Sequence, residues 1–210
     1  MQRTGPSGGI SIKKVICPPE IAELKTGQMS NATICIEFAN IPDREGDMTA
    51  RLDINSSTAG SMPVELKPSL GELLLPLQVN KSEYESTMDR MQGFQRIVSS
   101  FQSNVSSSSS TSSSRNEVFA TLATRVLKCA ALTPVGKSSS ATTFNKERQF
   151  KLVGSLPTSK DIVLVLVQLN DNATTDDDGT NVISGTITVC CDHAVAVNSI
   201  MNVIKRTLND

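Results

Sequence analysis

The period of the hydrophobic positions changes once along this chain, at Pro68. Upstream, apolar residues mostly alternate with polar ones. Ile34, Ile36 and Phe38 fall on one side of an extended segment, with Thr33, Cys35 and Glu37 on the other. Met48, Ala50, Leu52 and Ile54 alternate in the same way with Thr49, Arg51 and Asp53. A period of two places such residues on opposite faces of a half-buried strand. Residues 10–16 read as an earlier strand, its alternation broken at Lys13 and Lys14 and its end marked by Pro18 and Pro19. Residues 62–67 read as a short later one, after turn chemistry at 55–61. Together they predict one antiparallel unit, a partial β-sandwich over residues 10–67, wet on one face. A complete immunoglobulin-type sandwich needs about seven strands. Residues 1–9, polar and glycine-rich, read as a disordered leader.

Residues 68–77 are apolar and closed at both ends by Pro68 and Pro76. Each proline restricts the residue before it and removes a backbone donor. The run reads as a buried, extended linker without helix caps. Beyond it, helical and strand periods alternate. Ser82 to Glu85 reads as a capping box opening a helix with Tyr84, Met88 and Met91 on one face, ended by Gly93. Residues 94–101 read as a strand. Asn116 reads as the cap of a second helix carrying Val118, Leu122, Val126 and Cys129. Strands follow at 149–156, 161–170 and 182–191. The unbroken apolar run Ile162 to Val167 marks a central strand covered on both faces. Asp192 reads as the cap of a last helix, striped by Val197, Ile200, Met201, Ile204 and Leu208. Residues 78–210 therefore predict an α+β layer or platform, a strand-rich sheet with about three helices.

Serine dominates residues 102–115, and such a tract buries too little apolar surface to offset its ordering entropy. It reads as a disordered insertion in the platform. Ser106, Ser107, Ser108, Ser109 and Ser110 are candidate phosphorylation sites, with an uncharged spacer as the plainer reading. Lys plus Arg total 20 against 21 for Asp plus Glu, without the basic excess of a nucleic-acid binder or a polybasic membrane patch. No apolar run reaches the roughly 18 residues of a membrane-spanning helix. The five cysteines, odd in number, read as reduced thiols in the cytosol and not as a disulfide framework. Sequons at Asn31, Asn55, Asn104 and Asn172 then read as chance matches.

Candidate chemistry is sparse. Gly136-Lys137-Ser138 ends like a phosphate-binding loop, but such a loop needs a glycine five residues earlier, where Ala131 stands. A small hydrolase built around Lys137 and Ser138 is accordingly a weak reading. His193, the only histidine, follows Asp192 at a helix start, where capping or exposure is expected. Cys190, Cys191 and His193 do not suit a zinc ion, because adjacent strand residues point to opposite faces. One of the two thiols is expected in the core and the other exposed. Asp171, Asp176, Asp177 and Asp178 lack the order of a calcium loop. The sequence predicts no catalytic residue, no metal and no cofactor, and so no enzyme.

The string Gly71-Glu72-Leu73-Leu74-Leu75-Pro76, followed by Lys81-Ser82-Glu83, resembles the C-terminal appendage of the large beta subunit of adaptor protein complex 3, in the beta-adaptin family. The order of elements downstream agrees. The resemblance implies a partial antiparallel β-sandwich, this chain beginning partway through it, followed by a platform of antiparallel sheet flanked by helices; missing strands supplied by a different partner are the alternative. It implies a non-catalytic part of a vesicle coat that recruits accessory or cargo-related proteins through short peptide motifs, on the route from Golgi and endosomes to lysosomes. Other adaptor subunits would be reached only through family regions missing here, and membranes only through the complex. The family's platform pocket maps onto Phe150, Gln168 and Arg96, while its tryptophan has no counterpart and Gln95 lies nearest. A free-standing α+β interaction scaffold is the alternative reading.

Overall fold

The computed structural model describes residues 12–16, 27–29, 31, 33–38, 49–56, 60–105, 115–136, 148–157, 159–170, 174–175 and 181–209. The chain divides into two compact units, residues 1–67 and 68–210. The leader and the acidic loop residues Asp171 and Asp176 to Asp178 lie outside the described residues, as do Ser106 to Ser110, Lys137 and Ser138.

The first unit contains β1 (Ile12–Ile16), β2 (Cys35–Phe38), β3 (Ala50–Ser56) and β4 (Gly60–Leu66). Among the described residues they form two antiparallel two-stranded sheets. β1 pairs only with β2, and β3 only with β4, both antiparallel. Pro63 removes a donor from β4, as suits an edge strand. The ladder of β1 and β2 is irregular between Ile12 and Lys14, where the alternation breaks. Among the described residues of this unit Ala50 is the one buried hydrophobic, whereas Ile16, Ile34, Ile54, Met62 and Val64 are exposed.

The second unit is an α+β layer. In chain order it contains α1 (Leu70–Leu73), β5 (Leu75–Pro76), α2 (Lys81–Arg90), a short 3-10 turn (Gly93–Gln95), β6 (Arg96–Val105), α3 (Arg115–Cys129), β7 (Thr133–Pro134), β8 (Gln149–Ser155), β9 (Ile162–Leu169), β10 (Thr174–Thr175), β11 (Asn181–Cys190) and α4 (Ala194–Asn209). The main strands run β6-β11-β9-β8, all antiparallel. β5 and β7 add to the outer edge of β8, and β10 pairs with the start of β11. β9 is central, and its Val163, Leu164, Val165 and Val167 are all buried.

Several local expectations are corrected. Residues 68–77 are not an extended linker. Ser69 and Glu72 form a capping box that makes 70–73 helical: the Ser69 hydroxyl accepts from Glu72 N, and Ser69 N donates 2.8 Å to the Glu72 carboxylate. Pro68 precedes the cap, where its missing donor costs nothing, and Pro76 sits on the short edge strand β5. α2 is capped by Asn80, whose Oδ1 accepts from Glu83 N at 2.8 Å, and not by Ser82, which lies inside the first turn. Asn116 likewise lies within the first turn of α3. β6 continues to Val105, so residues 102–105 belong to the sheet and not to an insertion; Ser103 faces Ile183 and is fully buried.

The core has two sides. Val165, Val167, Ile187, Val189, Leu152 and Phe150 look toward α3 and α4, as the strand registers and burial require. α4 lies along β6 and β11 on that side and presents its predicted stripe, every member buried. On the opposite side α2 packs Tyr84, Met88 and Met91 against Val153, Leu164 and Cys190. α2 is only ten residues long, about 15 Å, so it covers one end of this face and leaves the other open.

Candidate interaction surface

Strand register places the residues of the α2 side in rows across the sheet. One row is Val153, Leu164, Cys190 and Arg96; the next is Lys151, Leu166, Thr188 and Val98; the third is Gln149, Gln168, Thr186 and Ser100. Val153, Leu164 and Cys190 of the first row lie beneath α2, while Arg96 at its β6 end is exposed. Lys151 bridges to α2, its Nζ 2.8 Å from a Glu85 carboxylate oxygen and 6.0 Å from the centre of the Tyr84 ring. The third row is polar and uncharged, with Gln168 Nε2 donating 3.4 Å to Gln149 Oε1. Beyond it Asn170 donates to Ser184 Oγ at 3.1 Å. A shallow depression of about 580 Å³ follows this end of the sheet, lined by Ser100, Gln102, Asn170, Ser184 and Asn209 among others.

The three residues expected to form a peptide pocket do not come together. Arg96 and Gln168 share the α2 side and are exposed, but β11 separates them, and four residues along that strand divide their rows. Strand spacing and rise put them about 16 Å apart. Phe150 is on the opposite side of the sheet. It is 1% exposed and meets Phe119 edge-on at 5.3 Å, so it is core. Its neighbour in the alternation, Gln149, takes the open face instead. Gln95 lies at the end of the 3-10 turn, where its Nε2 donates 2.7 Å to Asp192.

That contact also explains a corrected cap. Asp192 is drawn to Gln95, and His193 Nδ1 accepts from Ala196 N at 3.3 Å, capping α4. Both Cys190 and Cys191 are buried, against the expectation that one is exposed. Cys191 lies past the end of β11, where its N–H donates to Gln95 O and the chain turns inward under α4. Burial pushes the Cys191 thiol up to about 11, and it raises Cys190 too. Neither is an activated nucleophile. Among the described residues no group of three or more His, Cys, Asp or Glu is placed to hold a metal. His193 and the depression lie at opposite ends of α4, about 23 Å apart by helical rise. The depression is lined by amides, hydroxyls and backbone, with no acid–base pair.

Two exposed apolar residues escaped the sequence pattern. Phe94 is 77% exposed, held out by the turn that follows Gly93, whose φ of +63° suits glycine. Val98 is 57% exposed on β6, beyond the reach of α2. The alternation of Val98 with Ile97 and Ser99 signalled two faces; which of them α2 covers is not a local property.

Fold and surface together define a class: an antiparallel platform with helices packed on both sides, one face left partly open. The described residues assemble no catalytic constellation. The chain belongs to the family of the AP-3 complex subunit beta-1 C-terminal domain, whose model matches residues 71–208. That match spans almost all of the second unit. Comparison with curated proteins returned no match. The family is that of an adaptor-complex subunit, in the setting of vesicle transport.

Proposed function

We propose that this chain serves as a non-catalytic appendage of a vesicle-coat adaptor, recruiting accessory or cargo-related proteins through short peptide motifs. The family match over the second unit carries this reading. The open, partly apolar face of the sheet supports it, since short peptides dock on exposed sheet edges and shallow grooves. On this reading the protein is cytoplasmic. It reaches Golgi and endosomal membranes through the adaptor complex; among the described residues no helix is long and apolar enough to cross a membrane. Arg96 and Gln168 belong to the recruiting face, and Phe150 supports it from beneath.

Transplantation tests the proposal. Residues 68–210 replace the matched region of an AP-3 beta subunit in cells lacking that subunit, and delivery of a lysosomal membrane protein is followed. Delivery restored above that of a subunit lacking the region altogether is the expected result. Missorting equal to that of the shortened subunit overturns the reading.

A further inference from the structure

β6 is an edge strand with a definite set of free groups. Its odd residues bond to β11: Gln95 O accepts from Cys191 N, next to the paired Arg96 and Cys190. Its even residues turn their N–H and C=O groups outward. Two of these outward N–H groups are already used. Arg96 N donates to Gly93 O, and Gln102 N donates to Asn209 Oδ1 at the end of α4. Between these two stops, Val98 keeps both its N–H and its C=O without a partner among the described residues, and β6 pairs with no strand on this side. The side chains of the same residues stand on the open face. Val98 is an exposed apolar group there, and Phe94, in the turn just before β6, is exposed as well. Arg96 is exposed, and among the described residues no carboxylate forms an ion pair with it.

We propose that the β6 edge from Arg96 to Ser100 takes a short, extended, acidic peptide of a partner protein, added as a further antiparallel or parallel strand. This rests on the recruitment reading and names its chemistry. Val98 supplies main-chain hydrogen bonds, Arg96 pairs with a peptide carboxylate, and the Val98 side chain takes an apolar residue two positions from that carboxylate, on the same face of the added strand. A helical ligand leaves the edge donors unmet. A second copy of this chain fits poorly, because β6 reads RIVSSFQSNV and brings no carboxylate to Arg96. The stop at Gln102 limits the added strand to a few residues, the length of a short motif.

The probes are a labelled peptide of about eight residues with valine and glutamate two apart on one face and serine between them, and its counterpart with lysine for glutamate, both with blocked ends, a length that spans the edge. Binding to the full chain is read by fluorescence anisotropy. The glutamate peptide binds and the lysine peptide does not. Arg96→Glu weakens the glutamate peptide by at least about tenfold and confers binding of the lysine peptide. Val98→Pro abolishes both, since it deletes an outward donor while leaving the β6–β11 bonds in place. Circular dichroism checks folding of the proline variant, and if it unfolds the charge exchange at Arg96 decides alone. Equal binding of the two peptides, or insensitivity to Arg96→Glu, overturns the proposal. A dimer in light scattering that Val98→Pro dissolves also overturns it, with a second copy as occupant. If accessory-protein peptides bind but ignore both substitutions, the edge is wrong and recruitment stands. If the glutamate peptide reads Arg96 and Val98 while transplantation fails, recruitment is wrong and the edge stands.

Discussion

Tyr84 on α2 donates its phenolic hydrogen to the main-chain carbonyl of Val165 on central strand β9, 2.8 Å away and 81 residues along the chain. The ring is 1% exposed and fills the space between helix and sheet. Burial raises the phenol well above the ordinary tyrosine value, with Cys190 adding to the shift and Arg96 opposing it.

This bond gives the first prediction. A group whose folded value is raised contributes stability that is present below its unfolded value and is lost as pH rises above it. Stability therefore declines from about pH 10 upward, the ordinary tyrosine value, and the buried thiols contribute from slightly lower pH. Tyr84→Phe costs about 1 kcal/mol at neutral pH and flattens the alkaline decline. Tyr84 is the only tyrosine, so tyrosinate absorbance reports directly on it. Ionisation of the native protein at an ordinary tyrosine pH, without unfolding, contradicts the burial.

A second prediction concerns Gly185 on β11. A Cβ there lies 2.3 Å from Gln168 O and 2.6 Å from the Phe101 ring. Neither the neighbouring strand nor a buried ring can yield cheaply. Gly185→Ala is expected to cost about 3 kcal/mol or more, measured by urea unfolding. A loss below about 1 kcal/mol, the scale of an ordinary substitution, means the strands separate more readily than this packing allows.

The serine-rich stretch supplies a third. Removing residues 103–113 takes Ser103, Asn104 and Val105 from β6 along with their pairing to β11. That deletion lowers the melting temperature by several degrees. Removing only 107–113 spares all of β6 and α3 and is expected to be nearly neutral, because the closure entropy of a connection changes slowly with its length. Equal effects from the two deletions refute the assignment of 103–105 to the sheet. Differential scanning calorimetry of both is sufficient.

Thiol accessibility gives a fourth. Cys35 is exposed, whereas Cys190 and Cys191 are buried with raised thiol values. An alkylating reagent at neutral pH modifies Cys35 in the native protein, and Cys190 and Cys191 only after denaturant is added. Mass spectrometry of the digested protein locates the label. Rapid native labelling at Cys191 is the contrary outcome.

The fifth prediction separates the units. Among the described residues, nearly all buried apolar ones belong to residues 68–210, while the first unit exposes Ile16, Met29, Ile34, Ile54, Met62 and Val64. Exposed apolar groups in such number favour association. The whole chain is expected to bind a hydrophobic dye, and residues 68–210 alone to bind less and to unfold cooperatively. Greater dye binding by the shortened chain refutes this division of the core.

The sequence by itself determined the elements whose pattern is long and repetitive. The α4 stripe from Val197 to Leu208 and the β-branched run of β9 need no partner to be recognised, because side-chain direction follows backbone period alone. The existence of β8, β9 and β11 as strands followed from similar runs, while their antiparallel order is a tertiary fact. Short segments were decided elsewhere. Ser69 and Glu72 carried a legible capping box, yet two flanking prolines masked it, and four helical residues are held by packing more than by propensity. Asp192 and His193 both suit a cap, and the choice fell to Gln95, distant in sequence, which draws Asp192 away. The open face of the sheet shows the limit most clearly. Alternation told that Phe150 and Gln149 point to opposite sides of β8, but not which side the helices cover. Only tertiary packing decided that α3 and α4 take the side of Phe150, and that the short α2 leaves Gln168, Val98 and Arg96 in the open. A period of two distinguishes the faces of a strand, while burial is assigned by whatever else the chain can bring against them.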